Sequence, residues 1–209
     1  MRSRDLAIVG AGGHGREALA VARAANRAGV FDWRFRGFVD DGVAVQDRLD
    51  RVSAEVIGGT DTLAALRLPH VIAIGDSDSR RRVDERIAGR APAVVLIDPT
   101  AWVGDDIILG PGTMLYPGSR CTTNVRIGRH THVNCGAVVS HDCTIGAYVS
   151  LSPGVLLNGD VVVEDGAFLG SGAIVLPGRR IGAGAVVGAG AVVTTDVMAR
   201  STCVGVPAR

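Results

Sequence analysis

Val133-Asn134-Cys135-Gly136-Ala137-Val138, Val139-Ser140-His141-Asp142-Cys143-Thr144, Ile145-Gly146-Ala147-Tyr148-Val149-Ser150, Leu151-Ser152-Pro153-Gly154-Val155-Leu156: each group of six opens on an aliphatic residue and carries a small or β-branched one at its fifth place. The step of six holds from Ile97 to Val193, with an aliphatic residue or Cys at all seventeen stops. A helix repeats every 3.6 residues and a simple strand every two, so neither alone locks on six. A hexapeptide period is the signature of a parallel β-helix, in which each hexad supplies one short strand and one turn. Three hexads close a triangular coil. The anchor and the residue two before it share a face of the strand and point inward, the large one filling the prism and the small one fitting near the corner. Gly104, Gly110, Gly128, Gly146, Gly170, Gly182 and Gly188 follow anchors, where the reading expects positive φ and close backbone packing at tight corners.

The first 92 residues read differently. Leu6-Ala7-Ile8-Val9 is a buried-strand run, Gly10-Ala11-Gly12-Gly13-His14-Gly15 a glycine turn, and Arg16 to Ala28 a helix. Glycines 10, 12 and 15 fit G-x-G-x-x-G in its proper strand–turn–helix setting, where bare backbone and a helix N-terminus suit a phosphate. A second strand, Arg36 to Val39, ends in Asp40-Asp41. A short helix over 60–66, a strand over 70–74 and a helix over 79–88 complete an alternating pattern, which implies a small parallel sheet. The domain is small for a complete dinucleotide fold and has room for a mononucleotide-scale ligand. The expected division is a nucleotide-binding domain over 1–92 and a β-helix with a C-terminal cap over 93–209.

Composition narrows the function. A net charge of +1 and 4% aromatic residues give no support to a nucleic-acid partner. Arg2 and Arg4 are not followed by a long apolar run, and no stretch is long enough for membrane insertion. The expectation is a soluble, cytoplasmic protein. Cys121 and Cys143 fall on inward repeat positions and read as small buried hydrophobes, and no C-x-x-C pair suggests a redox or zinc motif.

Taken together, the Gly10–Gly15 loop, Phe38-Val39-Asp40-Asp41, Ala73-Ile74-Gly75-Asp76, the unbroken hexads, Ser140-His141-Asp142-Cys143 and Gly205-Val206-Pro207-Ala208 resemble a known family across nearly the whole chain. It is the bacterial sugar acyltransferases of the sialic-acid O-acetyltransferase family, which includes nucleotide-aminosugar N-acetyltransferases. The resemblance implies a small Rossmann-like α/β domain followed by a left-handed parallel β-helix. It also implies a homotrimer with active sites between subunits, acetyl-CoA as co-substrate in the groove between helices, and a nucleotide-sugar held by the N-terminal domain. His141 takes the place of the general base and Asp142 of its acidic partner. Such a base is what acyl transfer needs, because an amine or hydroxyl attacking a thioester must lose a proton.

Asn134 is either a site residue or a member of an asparagine ladder in the coil. Gly13, His14, Gly15, Asp40 and Asp41 are the nucleotide-side candidates, with helix-terminal packing the alternative for His14. On the acyl-CoA side stand Ser171 and Ala189, with Arg179 and Arg180 as partners for phosphates. Ser150 stands where many relatives carry a second histidine; it can hydrogen-bond but not titrate near neutrality. His130 and His132 could in principle ligate zinc, but the expected reading has no metal. The leading function is acetyl-CoA-dependent N-acetylation of a nucleotide-linked amino sugar. The alternatives are O-acetylation of a sialic-acid-like sugar, a metal-dependent hydratase and a non-catalytic nucleotide-sugar-binding scaffold.

Overall fold

A computed structural model describes residues 4–209; Arg2 lies outside them. The chain forms two compact units, the first ending at Pro99 and the second running Thr100–Arg209.

In the first unit the strands β1 (Arg4–Val9), β2 (Trp33–Val39), β3 (Val56–Gly58) and β4 (His70–Ile72) form a parallel sheet in the order β3-β2-β1-β4. Leu6 to Val9 are all buried, as expected of a parallel strand covered on both faces. Helix α1 (Gly13–Arg27) buries Gly15, Ala18, Leu19, Ala22 and Ala25, one stripe at helical spacing. Two further helices, α2 (Gln46–Asp50) and α3 (Thr60–Leu66), precede β4, and α4 (Ser77–Ile87) follows it. The Asp76 side chain caps α4 by accepting from the Ser79 N–H at 2.8 Å. The sheet order reverses between β1 and β4, so the glycine turn after β1 and Gly75-Asp76 after β4 flank the crevice where such sheets bind ligands. The sequence reading had three strands here. It passed over β3 and α2, which at three and five residues are too short to show a period.

The second unit is a left-handed parallel β-helix. Its two- and three-residue strands stack into three sheets, each strand pairing in register with the one 18 residues on: Val139 with Leu157, then Leu157 with Val175. Every anchor from Leu115 to Val193 is buried, as are Ala137, Cys143, Val149, Val155, Val161, Ala167 and Ala173 beside them. At the first coil Val103 is more exposed, because no coil lies beneath it.

The corners correct one expectation. The glycines directly after the anchors do not have positive φ; the left-handed position is the third after each anchor. Gly136, Gly154, Gly172 and Gly190 fill it, but so do Asp106, Asn124, His130, Asp142, Tyr148 and Asp160. Asp and Asn tolerate that conformation better than other residues with a side chain. The glycines after the anchors are needed for another reason. A Cβ on Gly110 would stand 2.6 Å from the Arg129 N, and one on Gly170 2.6 Å from the Ala189 N, so the next coil leaves no room for a side chain.

Candidate active site

The 18-residue pitch sorts corner residues into vertical columns. Asp105, Thr123, His141, Gly159 and Pro177 occupy one column, with Asp106, Asn124, Asp142, Asp160 and Gly178 beside it. Neighbouring members lie one strand spacing apart, about 4.8 Å. Main-chain bonds tie them together: Asp142 N donates to Thr123 O at 3.1 Å and Asp160 N to His141 O at 2.9 Å.

His141 and Asp142 are exposed on this corner, and His141 Nδ1 lies 2.8 Å from Asp142 Oδ2. The bond from His141 holds the Asp142 carboxyl below its ordinary value, and a second bond from Asn124 adds to the effect. Asn124 Nδ2 donates to the other oxygen, Oδ1, at 3.0 Å. An ionised carboxylate can only accept, so the proton between the two residues sits on Nδ1. A neutral imidazole held this way presents Nε2 as a lone-pair acceptor, which is what a base must offer. Above the ring lies Gly159, whose added Cβ would stand 2.5 Å from Nε2 and 2.9 Å from Nδ1. The bare glycine makes the space in which the imidazole lies. The sequence reading missed both Asn124 and Gly159. The signal was there, since each sits 18 residues from the residue it serves.

Asn134 lies at a different corner. Its Nδ2 donates to Leu151 O at 2.8 Å, as Asn158 Nδ2 does to Val175 O at 2.8 Å. The shared geometry is that of a ladder in which the carboxamide ties one coil to the next. Ser171 and Ala189 share that corner, exposed and one coil apart, linked by Gly190 N to Ser171 O at 2.9 Å. Both side chains at this corner are small. Ser150 lies on a flat of the prism, buried, between His132 and Phe168. Arg180 Nη1 pairs with Glu164 at 2.6 Å, and Arg179 Nε donates to Pro177 O. The chain thus brings His141 to Asp142 and Ser171 to Ala189, but it sets the two pairs on different corners.

In the first unit, Gly12 and Gly13 face open space, so packing does not require them to be glycine. Gly15 is different: a side chain there would strike the Gly10 carbonyl. Asp40 accepts from Ala11 N at 2.7 Å through Oδ2 and from Gly42 N at 2.8 Å through Oδ1, clamping the glycine turn onto the end of β2. Asp41 takes both the N–H and the hydroxyl of Thr60, each at 2.9 Å, and pairs with Arg86. Arg80, fully buried, donates to the carbonyls of Ile74 and Gly75 and fixes the turn after β4.

Burial pushes the His14 imidazole below its ordinary value; Glu17, 3.3 Å away, opposes this and the Arg80 charge adds to it. With the folded value below the unfolded one of about 6.5, the contribution of His14 to stability is full above that pH and is lost as pH falls through the folded value. His14→Asn should therefore make the drop in Tm between pH 8 and pH 5 shallower. An unchanged slope in melts across that range would refute this.

His130 stacks on Tyr148, with centroids 5.8 Å apart, and His132 lies in the strand between Met114 and Ser150. Among the described residues no three His, Cys, Asp or Glu side chains gather as metal ligands, and no helix is long and apolar enough to cross a membrane.

The PglD N-terminal domain model matches residues 5–87, and the bacterial transferase hexapeptide model matches 124–159 and 160–195. Over 170 residues the chain is 36% identical to GDP-perosamine N-acetyltransferase from Escherichia coli O157:H7, covering 77% of this chain and 72% of the relative. PerB from Caulobacter crescentus, solved in complex with CoA and GDP-perosamine, is 34% identical with a TM-score of 0.88 over 98% of this chain and 95% of its own. Histidine-to-asparagine and histidine-to-alanine mutants of the Caulobacter enzyme have been solved with the same two ligands. The acetyltransferase domain of PglB from Neisseria gonorrhoeae FA1090 is 30% identical with a TM-score of 0.84, over 99% of this chain and 98% of that one.

Proposed function

The chain belongs to the hexapeptide-repeat sugar acetyltransferases that carry a PglD-type N-terminal domain, and from that premise we propose that His141 is the base with which it moves an acetyl group from acetyl-CoA to the amine of a nucleotide-linked amino sugar. The carrying observation is the His141–Asp142 pair, exposed on a rigid corner with Nδ1 committed to the carboxylate. The neutral amine attacks the thioester carbonyl carbon, forming the N–C bond. His141 Nε2 takes the proton that the nitrogen can no longer hold. As the C–S bond breaks, the imidazolium returns that proton to the departing sulfur, leaving an amide and free CoA. Asp142 stays ionised throughout and stabilises the imidazolium, while Asn124 keeps its carboxylate in place.

In this reading residues 1–92 bind the nucleotide, with Gly13 and His14 beside it, and Gly15, Asp40 and Asp41 shape the turn that meets it. Residues 93–209 carry out the transfer. Ser171 and Ala189 line the acyl-CoA groove, with Asn134 at the same corner and Ser150 on the adjoining flat. The acyl groove and the base stand on different corners, which supports a homotrimer in which one subunit's groove faces its neighbour's His141. In this reading the enzyme works in the cytoplasm, in keeping with the lack of any helix long and apolar enough to cross a membrane among the described residues. GDP-perosamine, the sugar in the names of two relatives, is the acceptor to try first.

The test is thiol release from acetyl-CoA with GDP-perosamine and with UDP- and dTDP-linked 4-aminosugars, alongside mass determination in solution. The expected result is turnover on at least one acceptor and a mass about three times the 21.5 kDa of one chain. Absence of turnover across the panel refutes the activity, and a monomer of full activity refutes the shared site.

A further inference from the structure

Behind the His141 corner, one inward column of the β-helix runs Val125, Cys143, Val161 up three successive coils, all fully buried. Valine is the ordinary filler here, and the coil that carries His141 and Asp142 is the exception. What the exception adds is a donor: Cys143 Sγ bonds to Asn158 O at 3.2 Å. The fold makes the same tie elsewhere. At another corner Thr113 Oγ1 donates to Gly128 O at 3.2 Å and Thr131 Oγ1 to Gly146 O at 2.8 Å, each, like Cys143, reaching a carbonyl 15 residues on. In all three an inward side chain fastens the turn of the next coil.

The turn that Cys143 fastens lacks the usual closure. At the acyl-groove corner the carbonyl next after the anchor closes its own turn: Asn134 O accepts from Ala137 N at 3.0 Å, Ser152 O from Val155 N at 3.2 Å and Gly170 O from Ala173 N at 3.0 Å. Among the described residues no such bond runs from Val161 N to Asn158 O; Asn158 O has the thiol instead. Burial pushes that thiol up to about 11, against the pull of the Val161 N–H, so it stays protonated and can donate. From the other side Asn158 Nδ2 holds Val175 O at 2.8 Å. Directly after this doubly tied residue comes Gly159, whose added Cβ would strike the His141 ring.

We propose that Cys143 is a positioning residue for the base: its thiol, inside the coil, holds the Asn158–Asp160 turn at the height that seats Gly159 over the His141 imidazole. Fully buried, Cys143 meets no substrate and acts through Gly159. The proposal rests on the reading of His141 as the base. Its test separates the bond from the volume. Valine and threonine are both β-branched and differ by a methyl against a hydroxyl. The first fills this column above and below, and the second makes this bond at Thr113 and Thr131. Cys143→Val should lower kcat about tenfold and leave KM for acetyl-CoA and for the acceptor within about twofold. Cys143→Thr should keep kcat within about threefold of wild type, with Cys143→Ser in its place if the threonine variant does not fold. The Nδ1 proton resonance of His141 should shift in Cys143→Val and stay put in the hydroxyl variant. Equal kcat in the two variants, a Cys143→Val kcat within about twofold of wild type, or a resonance that Cys143→Val leaves unmoved would each overturn the positioning role. The resonance is read without substrates, so it decides the matter even if the wild type turns over no acceptor, a result that would overturn the activity alone.

Discussion

His141→Ala should lower kcat/KM by about 10²–10⁴-fold, the range that positioned general bases supply, with little change in Tm. The imidazole is exposed and its main-chain carbonyl, which accepts from Asp160 N, survives the substitution. Affinity for the nucleotide-sugar should stay within about threefold. The loss should sit in kcat, because the base acts as the amine attacks and contributes little to ground-state binding. A residual rate within tenfold of wild type would remove His141 from the mechanism.

Gly159→Ala is the second large effect, and it changes no chemical group. The new methyl would claim the space that the His141 ring fills, at 2.5 Å from Nε2. Backbone on either side is held by the coil, with Asp160 N on His141 O and Gly178 N on Gly159 O at 3.0 Å. The ring must therefore swing away, and misplacing a reacting group by about 1 Å can cost about 10²-fold. The expected result is a fall in kcat of about 10–10²-fold with the acetyl-CoA KM retained. The bond between Nδ1 and Asp142 should weaken as well, visible as a shift of the Nδ1 proton resonance. Near-wild-type kcat would mean that the ring has another productive position.

How much of this was legible depended on period. The step of six gave the coil, the buried anchors and the inward Cys121 and Cys143, because an unbroken repeat leaves little freedom. The strand–turn–helix setting gave the Gly10–Gly15 turn for a similar reason. The strand Val56–Gly58 and the helix Gln46–Asp50 carried no period to read. Their places are fixed by partners far along the chain, Phe38 for the strand among them. The corner glycines were misread because two demands, close approach and positive φ, were assigned to one position when the chain separates them. His141 and Asp142 were found by resemblance, but their helpers needed only arithmetic. Asn124 precedes Asp142 by one coil and Gly159 follows His141 by one. The same arithmetic separates His141 from Ser171, which are 30 residues apart and so cannot share a column.

A stack of coils touches only its nearest neighbours, and its stability is close to a sum of local increments. Heat should therefore open it from the ends, where Val103 and Trp102 lie exposed at one extremity and Met198 and Val206 at the other. The Val139–Val155 coil, with intact coils on both sides, would be among the last to open. Amide exchange should record this as slow protection at Ser140 and Thr144, graded to fast beyond Thr202. The chemistry would then be housed in the most durable stretch of the solenoid, and wear at its tips would go unnoticed by the base.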